Sequence, residues 1–316
     1  MPMDDQEATS SDAESPDQGR EGREPQDPGP VAGPDIPSVR QIDSSFVPEL
    51  VRNVSAALKT AGARPLLVGG CVRDQILGIP AKDFDLEIYG LDESRLIDAL
   101  SAFGEVNLVG RSFGVYVLSV GGESIDIAMP RREKKIGEGH RGFEVISDPH
   151  MGLSEASRRR DFTINALAMD PVTGEIYDPH GGLADIERRV LRATDPKAFV
   201  EDPLRVLRGA QFSARLGLVV DPETMAGMNQ VRGELASLPA DRVGKEWEKI
   251  LLKGQYPSRG MEVMKWAGVL SVLHPELDRL SETPQDPEHH PEGDVWTHTK
   301  MVVDRARELS VDLLPE

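Results

Sequence analysis

The sequence predicts an α+β fold, in which a mixed sheet with helices is followed by an all-helical part. Two observations predict this fold. Between residues 46 and 129, short apolar runs typical of strands alternate with segments in which apolar residues recur at helical spacing. From about Pro222 onward, the apolar residues recur at helical spacing only. Chains in which strand-rich and helical segments are separated in this way are typical of the α+β class.

The composition of the 316 residues limits the class of protein. No apolar run approaches the ~18 residues of a membrane span. The lone Cys71 excludes an internal disulfide and favours a reducing, cytoplasmic compartment. The formal net charge of −18 argues against general, charge-driven binding of nucleic acid, so any RNA contact must come from a local basic surface. Residues 1–43 are acidic and nearly free of large apolar side chains, and we expect them to be disordered.

A glycine turn follows the first apolar run of the predicted sheet. Residues 66–68 are typical of a strand, and Gly69 and Gly70 are typical of a turn. The residues that follow are typical of a short helix, which carries Arg73. Such a turn lets backbone N–H groups approach phosphate oxygens at the start of a helix, and a guanidinium group adds a fork of donors. The sequence thus predicts an anion site at Gly70 and Arg73, with an ordinary tight turn as the alternative.

Two aspartates one residue apart occupy the next predicted strand, residues 82–89. Side chains two residues apart share one face of a strand, so Asp83 and Asp85 are predicted to point the same way. Paired carboxylates at one strand end can bind a Mg²⁺ ion that also contacts substrate phosphates. A later strand, residues 124–129, makes Asp126 a candidate third carboxylate, as a metal ligand or a proton acceptor. A solvent-facing strand residue is the alternative for Asp126.

Arginines are concentrated in two segments further along the chain. Residues 130–152 are predicted to form a long, polar and basic loop. Residues 154–169 are predicted to form a helix with three consecutive arginines, of which Arg160 is the last. These arginines either face phosphates or are simply solvated.

Asp202 and Pro203 form a typical helix start, with aspartate at the N-cap and proline at the first helical position. Arg205 and Arg208 follow on one face of that helix. The N-cap is a sufficient structural explanation for Asp202. The functional alternative is that a carboxylate accepts from an exocyclic amino group while an arginine donates to a ring nitrogen. That pair would read the Watson–Crick edges of C and A, which share an amino group beside an acceptor nitrogen, but not those of G and U.

Four segments resemble the signatures of the class II tRNA nucleotidyltransferases, a family of CCA-adding enzymes and bacterial poly(A) polymerases. The segments are residues 67–74 with 82–85, residues 159–167, residues 178–182 with Asp185, and residues 201–208. The resemblance runs from about residue 66 to residue 277 with the motifs in the family's order, which makes it more specific than one pair of aspartates. Gln211 departs from the pattern, because many members have another arginine there, and this weakens the expectation of a nucleotide contact at Gln211.

The resemblance implies a polymerase-beta-like nucleotidyltransferase head over residues 44–172, a nucleotide-reading neck over 173–235 and a helical RNA-binding body over 236–280. It implies two Mg²⁺ ligands, three contacts to the nucleotide and a protein template for C and A. The Mg²⁺ ligands are Asp83 and Asp85, and the nucleotide contacts are Gly70, Arg73 and Arg160. The template for C and A is Asp202 with Arg205, supported by Arg208.

The activity implied by the resemblance is template-independent addition of C and A to the 3′ end of tRNA, from CTP and ATP. A poly(A), CC-only or A-only polymerase of the same family remains an alternative, as does an inactive RNA-binding module. Residues 281–316 are expected to form a linker and an incomplete HD-like helical domain, consistent with a truncated C-terminus, and no HD activity is expected. His298 is interpreted as a solvated or packing residue, and the oligomeric state stays open.

Overall fold

The computed structural model of the protein describes residues 36–109, 114–135 and 143–310. Its strands are β1 (Arg40–Gln41), β2 (Arg64–Val68), β3 (Leu86–Tyr89), β4 (Glu105–Val109), β5 (Val115–Val120), β6 (Glu123–Ala128), β7 (Arg131–Lys135), β8 (Phe143–Ser147), β9 (Ala168–Met169), β10 (Glu175–Tyr177), β11 (Val190–Leu191) and β12 (Val219–Val220). Its helices are α1 (Glu49–Thr60), α2 (Gly70–Ile76), α3 (Glu93–Ser101), α4 (Leu153–Arg158), α5 (Gly182–Arg188), α6 (Pro196–Phe199), α7 (Leu204–Leu216), α8 (Pro222–Gln230), α9 (Ala240–Lys253), α10 (Pro257–Trp266), α11 (Val269–Leu273), α12 (Pro275–Asp278) and α13 (Val295–Ser310).

Eight strands form one mixed sheet in the order β1-β10-β9-β2-β3-β6-β5-β4. β3 and β6 run parallel, with Leu86 opposite Ile127, and the other neighbouring strands of this sheet are antiparallel. Ile88 and Ile127 are fully buried in the main hydrophobic core, to which α1 contributes Val54 and α3 contributes Leu96. In β6, where the buried Ile125 and Ile127 flank the exposed Asp126, the alternation of apolar and polar residues places one face against helices, as the α+β prediction requires, while all four residues of β3 are buried.

The predicted N-terminal tail and the predicted basic loop both contain strands. Residues 1–35 of the predicted disordered tail lie outside the described residues, but Arg40–Gln41 form β1 at the sheet edge, paired with β10. The prediction of a continuous loop over residues 130–152 is wrong, because β7 and β8 pair as an antiparallel hairpin with Arg131 opposite Ser147. The sequence of β8 contains three apolar residues that are typical of a strand, but the many charged residues of this segment concealed that signal.

The predicted helix over residues 154–169 is also wrong. α4 ends at Arg158, Thr163–Asn165 form a 3-10 turn, and Ala168–Met169 form β9, which pairs with β2. The cause is partly local, since the Asp161 side chain accepts a hydrogen bond from Phe162 N and so offers the backbone an alternative to a helix. It is also tertiary, because pairing with β2 and burial override a weak helical pattern.

α7 is the central helix of the second half of the chain. Ten of its 13 residues are buried, so it is covered on nearly all sides. α10 crosses it at Gly260, where a Cβ atom would lie 2.8 Å from Ala210 O, and α9 packs against it as well. The described part of the chain contains no helix with the length and apolarity that crossing a membrane requires.

Gly182→Ala is expected to destabilise the protein by about 1–3 kcal/mol, the usual cost of overpacking. A Cβ atom on Gly182 would lie 2.3 Å from Thr163 O, and the backbone of the 3-10 turn cannot yield without moving its neighbours. Gly244→Ala is the matched control, because Gly244 lies inside α9 with no atom near the added Cβ. This control should gain about 0.5–1 kcal/mol from helix propensity. Urea unfolding measures both variants, and equal stabilities would contradict the close approach.

Candidate active site

Three carboxylates meet where β3 and β6 run side by side. The strand is shorter than predicted, because β3 begins at Leu86 and both Asp83 and Asp85 precede it. The hydrogen bond from Val68 N to Asp85 O, 3.1 Å long, still extends the sheet pairing to Asp85. The parallel register of Leu86 with Ile127 brings Asp85 alongside Asp126 of β6. All three aspartates line one cavity of about 520 Å³, which we call the carboxylate pocket.

The carboxylates of this pocket repel one another. Burial raises the pKa of the Asp85 carboxyl, and the negative charges of Asp126 and Asp83 raise it further, while the Arg160 guanidinium partly opposes them. A cluster of like charges costs free energy in the folded protein. A divalent cation bound by carboxylate oxygens would remove that cost, and oxygen-only donors are the set that Mg²⁺ prefers.

A second cavity, of about 440 Å³, lies next to the first and is rich in cations. We call it the cationic pocket. It brings together all six residues predicted to contact the nucleotide, and Asp85 lines it too. The full lining is Gly69, Gly70, Arg73, Asp85, Arg160, Asp161, Asn165, Asp202, Arg205, Arg208, Gln211, Phe212, Arg215 and Lys249.

The glycine turn makes room for Arg160. Gly69 has φ +79°, a conformation that residues with a side chain rarely adopt, and a Cβ atom on it would lie 3.1 Å from Arg160 Nη1. Glu87, which is 1% exposed, lies 3.9 Å from Arg160 Nη2 and accepts a hydrogen bond from Arg159 Nη2 at 3.0 Å. The turn and this buried carboxylate together hold Arg160 at the pocket, and the same carboxylate pairs with Arg159.

Asp161 connects α7 to the glycine turn through a chain of hydrogen bonds. Its Oδ2 accepts from Arg208 Nε at 2.7 Å, and its Oδ1 accepts from Asn165 Nδ2 at 2.9 Å. Asn165 Oδ1 in turn accepts from Arg73 Nη1, and Arg73 Nε donates to Asp74 Oδ1. Burial alone would raise the pKa of Asp161, but the Arg208 charge and these hydrogen bonds outweigh it and lower the pKa.

Asp202 and Arg205 lie at the start of α7. The prediction of Asp202 as the N-cap and Pro203 as the first helical residue is wrong by one position, because the helix begins at Leu204 and Pro203 is its N-cap. Asp202 Oδ1 nevertheless accepts a hydrogen bond from Leu204 N at 3.1 Å. The Arg205 guanidinium donates to two backbone carbonyls, Ala198 O and Arg159 O, each at 2.6 Å. Both side chains line the cationic pocket while their positions are fixed by these bonds.

Four side chains of the cationic pocket were not predicted from the sequence, namely Asp161, Asn165, Arg215 and Lys249, and no contact was expected of Phe212. Asp161 and Asn165 fall inside a motif that was noticed, but no residue pattern separated them from their neighbours. Lys249 comes from α9 and reaches the pocket only because α9 packs on α7, which nothing near residue 249 reveals.

A separate group of potential metal ligands lies near the start of α13. His290, Glu292 and His298 hold their ligand atoms within 4.8 Å of one another. Glu292 Oε1 lies 3.2 Å from His290 Nδ1 and 2.6 Å from His298 Nδ1, so hydrogen bonds account for the arrangement without an ion. A backbone hydrogen bond and these two side-chain hydrogen bonds lower the pKa of Glu292 to about 2. His298 is therefore hydrogen-bonded rather than simply solvated.

Two family descriptions match the sequence. The Poly A polymerase head domain matches residues 66–192, and the probable RNA and SrmB-binding site of polymerase A matches residues 217–280. Together the two matches span more than half of the chain. The first contains the three carboxylates and the glycine turn, and α7 lies between the two matched segments.

Named relatives and solved structures agree with these families. A multifunctional CCA protein of Xanthomonas campestris pv. campestris (strain B100) is 45% identical over 249 residues, which cover 77% of this chain and 58% of that protein. The structure of the Bacillus stearothermophilus CCA-adding enzyme in complex with CTP superposes with a TM-score of 0.60 at 28% identity, covering 74% of this chain and 57% of that one. The Thermotoga maritima CCA-adding enzyme complexed with tRNA gives 0.60 at 26% identity, covering 80% and 57%. The chain thus spans less than two thirds of the relatives' length.

Asp161→Asn is expected to destabilise the protein by about 1–3 kcal/mol at pH 7, because it removes the charged partner of the partly exposed Arg208 and weakens their hydrogen bonds. The pKa of Asp161 is lower in the folded protein than its usual value of 3.8. Its stabilising contribution is therefore complete above that value and is lost as the pH falls through the lowered folded pKa. Urea unfolding from pH 7 to pH 3 should show the two proteins converging only at the acid end. A difference that stays constant with pH would contradict the ion pair.

Proposed function

The chain belongs to the family of tRNA nucleotidyltransferases and poly(A) polymerases, and we propose that it adds C and A to the 3′ end of tRNA from CTP and ATP, without a nucleic-acid template. One observation carries this proposal: Asp85 lines both the carboxylate pocket and the cationic pocket. A metal held by the first would therefore lie beside the polyphosphate held by the second, which is the arrangement that nucleotidyl transfer requires.

Nucleotidyltransferases of this family generally depend on a metal, and we propose Mg²⁺ here. Asp83 and Asp85 would hold it, with Asp126 as a third ligand or as the acceptor of the proton of the attacking hydroxyl. The donor set fits, because it offers carboxylate oxygens alone and its like charges raise the pKa of Asp85. When bound, the metal would lower the pKa of the tRNA 3′ hydroxyl and neutralise negative charge on the triphosphate.

The cationic pocket would position the nucleoside triphosphate for attack on its α-phosphate. Gly70, Arg73 and Arg160 would contact the phosphate chain, since they lie at the glycine turn next to Asp85. The 3′ hydroxyl of the RNA attacks the α-phosphorus, the bond to the bridging oxygen breaks, and pyrophosphate leaves with its charge facing these guanidinium groups. Holding the reactants in line is the main contribution of such a site.

Asp202 and Arg205 would select C and A. Asp202 uses one carboxylate oxygen on Leu204 N and retains acceptor capacity for an exocyclic amino group. Arg205 is fixed by two backbone carbonyls and retains further N–H donors for a ring nitrogen. Arg208, held by Asp161, would support the pair. Because these side chains are already positioned, the protein itself can serve as the template.

The proposed partner is tRNA, and the proposed location is the cytoplasm. Residues 217–280 match a family described as a probable RNA-binding site, and the structure of one related enzyme contains tRNA. Cys71, the single cysteine, is a free and buried thiol, in keeping with a reducing compartment. A poly(A) polymerase is the second candidate, since the matching head domain is described by that name.

Replacing both Asp83 and Asp85 by alanine is expected to lower nucleotide incorporation at least about 10³-fold, because the metal would lose both of its proposed ligands. The assay supplies tRNA that lacks its terminal CCA with each nucleoside triphosphate in turn and sequences the 3′ ends. Wild-type protein should add C, C and A and then stop. Asp98→Ala, an exposed aspartate on α3, is the matched control and should keep full activity.

Incorporation that survives in the double variant would refute the assignment of the metal ligands. Long runs of A at the 3′ end would favour the poly(A) polymerase. Binding of tRNA by the wild-type protein without any release of pyrophosphate would favour an RNA-binding module without activity.

A further inference from the structure

Gln211 carries a polar group that the protein leaves unpaired. The residue is 2% exposed and lines the cationic pocket from α7. Its Nε2 atom is buried and has no hydrogen-bond partner. Other buried side-chain atoms in the described part of the chain also lack a partner, but of these only Gln211 Nε2 belongs to a residue that lines this pocket. Buried amide groups are normally paired in native proteins, so a bound ligand is the natural source of the missing partner.

The surroundings of Gln211 select an anionic ligand. Arg208 lies one turn before it and Arg215 one turn after it on the same side of α7, and both line the pocket. The Arg73 guanidinium lies 5.0 Å from the ring centre of Phe212, the next residue. Burial lowers the pKa of Arg215, and the positive charge of Arg73 lowers it further, so these cations are close enough to repel one another. A polyanion in the pocket would relieve that repulsion.

The position of Gln211 along α7 separates it from the base-reading residues. It follows Arg205 by six residues, roughly 9 Å along the helix axis. Arg73, which lies over Phe212, belongs to the short helix that begins at the glycine turn. Gln211 therefore lies toward the end of the pocket where the phosphates are expected, away from the end where Asp202 and Arg205 would read the base.

Resting on the function proposed above, we propose that the side-chain amide of Gln211 donates a hydrogen bond to the polyphosphate of the incoming nucleoside triphosphate. The amide is neutral, so it adds a donor without adding another charge to guanidinium groups that already repel one another. It contributes to affinity for the triphosphate and leaves the choice between C and A to Asp202 and Arg205. The departure from arginine at this position thus keeps a nucleotide contact, contrary to the expectation from the sequence.

The test measures equilibrium binding of CTP, CMP and inorganic tripolyphosphate to the full chain, with no tRNA present. Gln211→Leu keeps a similar volume and removes the donor, while Gln211→Glu keeps the shape and offers acceptors only. Gln211→Leu should weaken CTP and tripolyphosphate binding about tenfold, the scale of a hydrogen bond to a charged group, and leave CMP binding unchanged. Gln211→Glu should weaken the first two ligands further, because its negative charge repels phosphate.

Ser213→Ala is the matched control. Ser213 lies on the same helix, is buried and also has an unpaired side-chain oxygen, but it lines a different cavity. Its replacement should leave all three affinities unchanged. Thermal unfolding of each variant checks that the fold persists. Should the Leu variant not fold, CTP affinity retained by the Glu variant would still contradict the inference.

Three results would overturn the inference: unchanged CTP affinity in Gln211→Leu, equal losses for CTP and CMP, or CTP affinity that Gln211→Glu retains. The same preparation of wild-type protein is assayed for addition of nucleotides to tRNA. If it adds them and Gln211→Leu binds CTP normally, this inference alone fails. If it neither adds nucleotides nor binds any of the three ligands, the proposed function fails and this inference with it.

Discussion

The parallel pairing of β3 with β6 is the constraint on which the rest of the site depends. It fixes Asp85 next to Asp126, although their charges repel and burial raises the pKa of Asp85. The sheet can maintain this unfavourable arrangement because Leu86, Ile88 and Ile127 are buried in the main core and set the register. The hydrophobic core thus holds a cluster of carboxylates ready for a cation that would stabilise it.

A second set of contacts joins the two halves of the site. Asp161 binds Arg208 of α7 directly and reaches Arg73 of α2 through Asn165, so the helix that would read the base and the turn that would hold the phosphates share one buried carboxylate. Both parts of a bound nucleotide would then be positioned by a single network. Buried networks of this kind are rigid when every member is paired, and rigidity is what selection by a protein template requires.

The sequence predicted most of the residues proposed for the chemistry, which the structure brings together at two pockets, but not those that position them. The alternation around Asp126 predicted its strand position correctly, since strand periodicity is a local property. Asp83 and Asp85 line the same pocket as Asp126, as expected, but they precede β3 and do not share a strand face. The helix expected around Arg160 was wrong because strand pairing and burial override local propensity. Lys249 could not be predicted, since it reaches the pocket only through the packing of α9 on α7, a contact between segments far apart in sequence.

The most direct test of the account is anomalous diffraction from crystals of the protein grown with CTP and Mn²⁺, a cation that accepts the same oxygen ligands as Mg²⁺. We expect a manganese peak between the carboxylates of Asp83 and Asp85, with the triphosphate of CTP extending from it toward Arg73. A manganese peak elsewhere with none between Asp83 and Asp85, or CTP bound outside the cationic pocket, would contradict the proposed site.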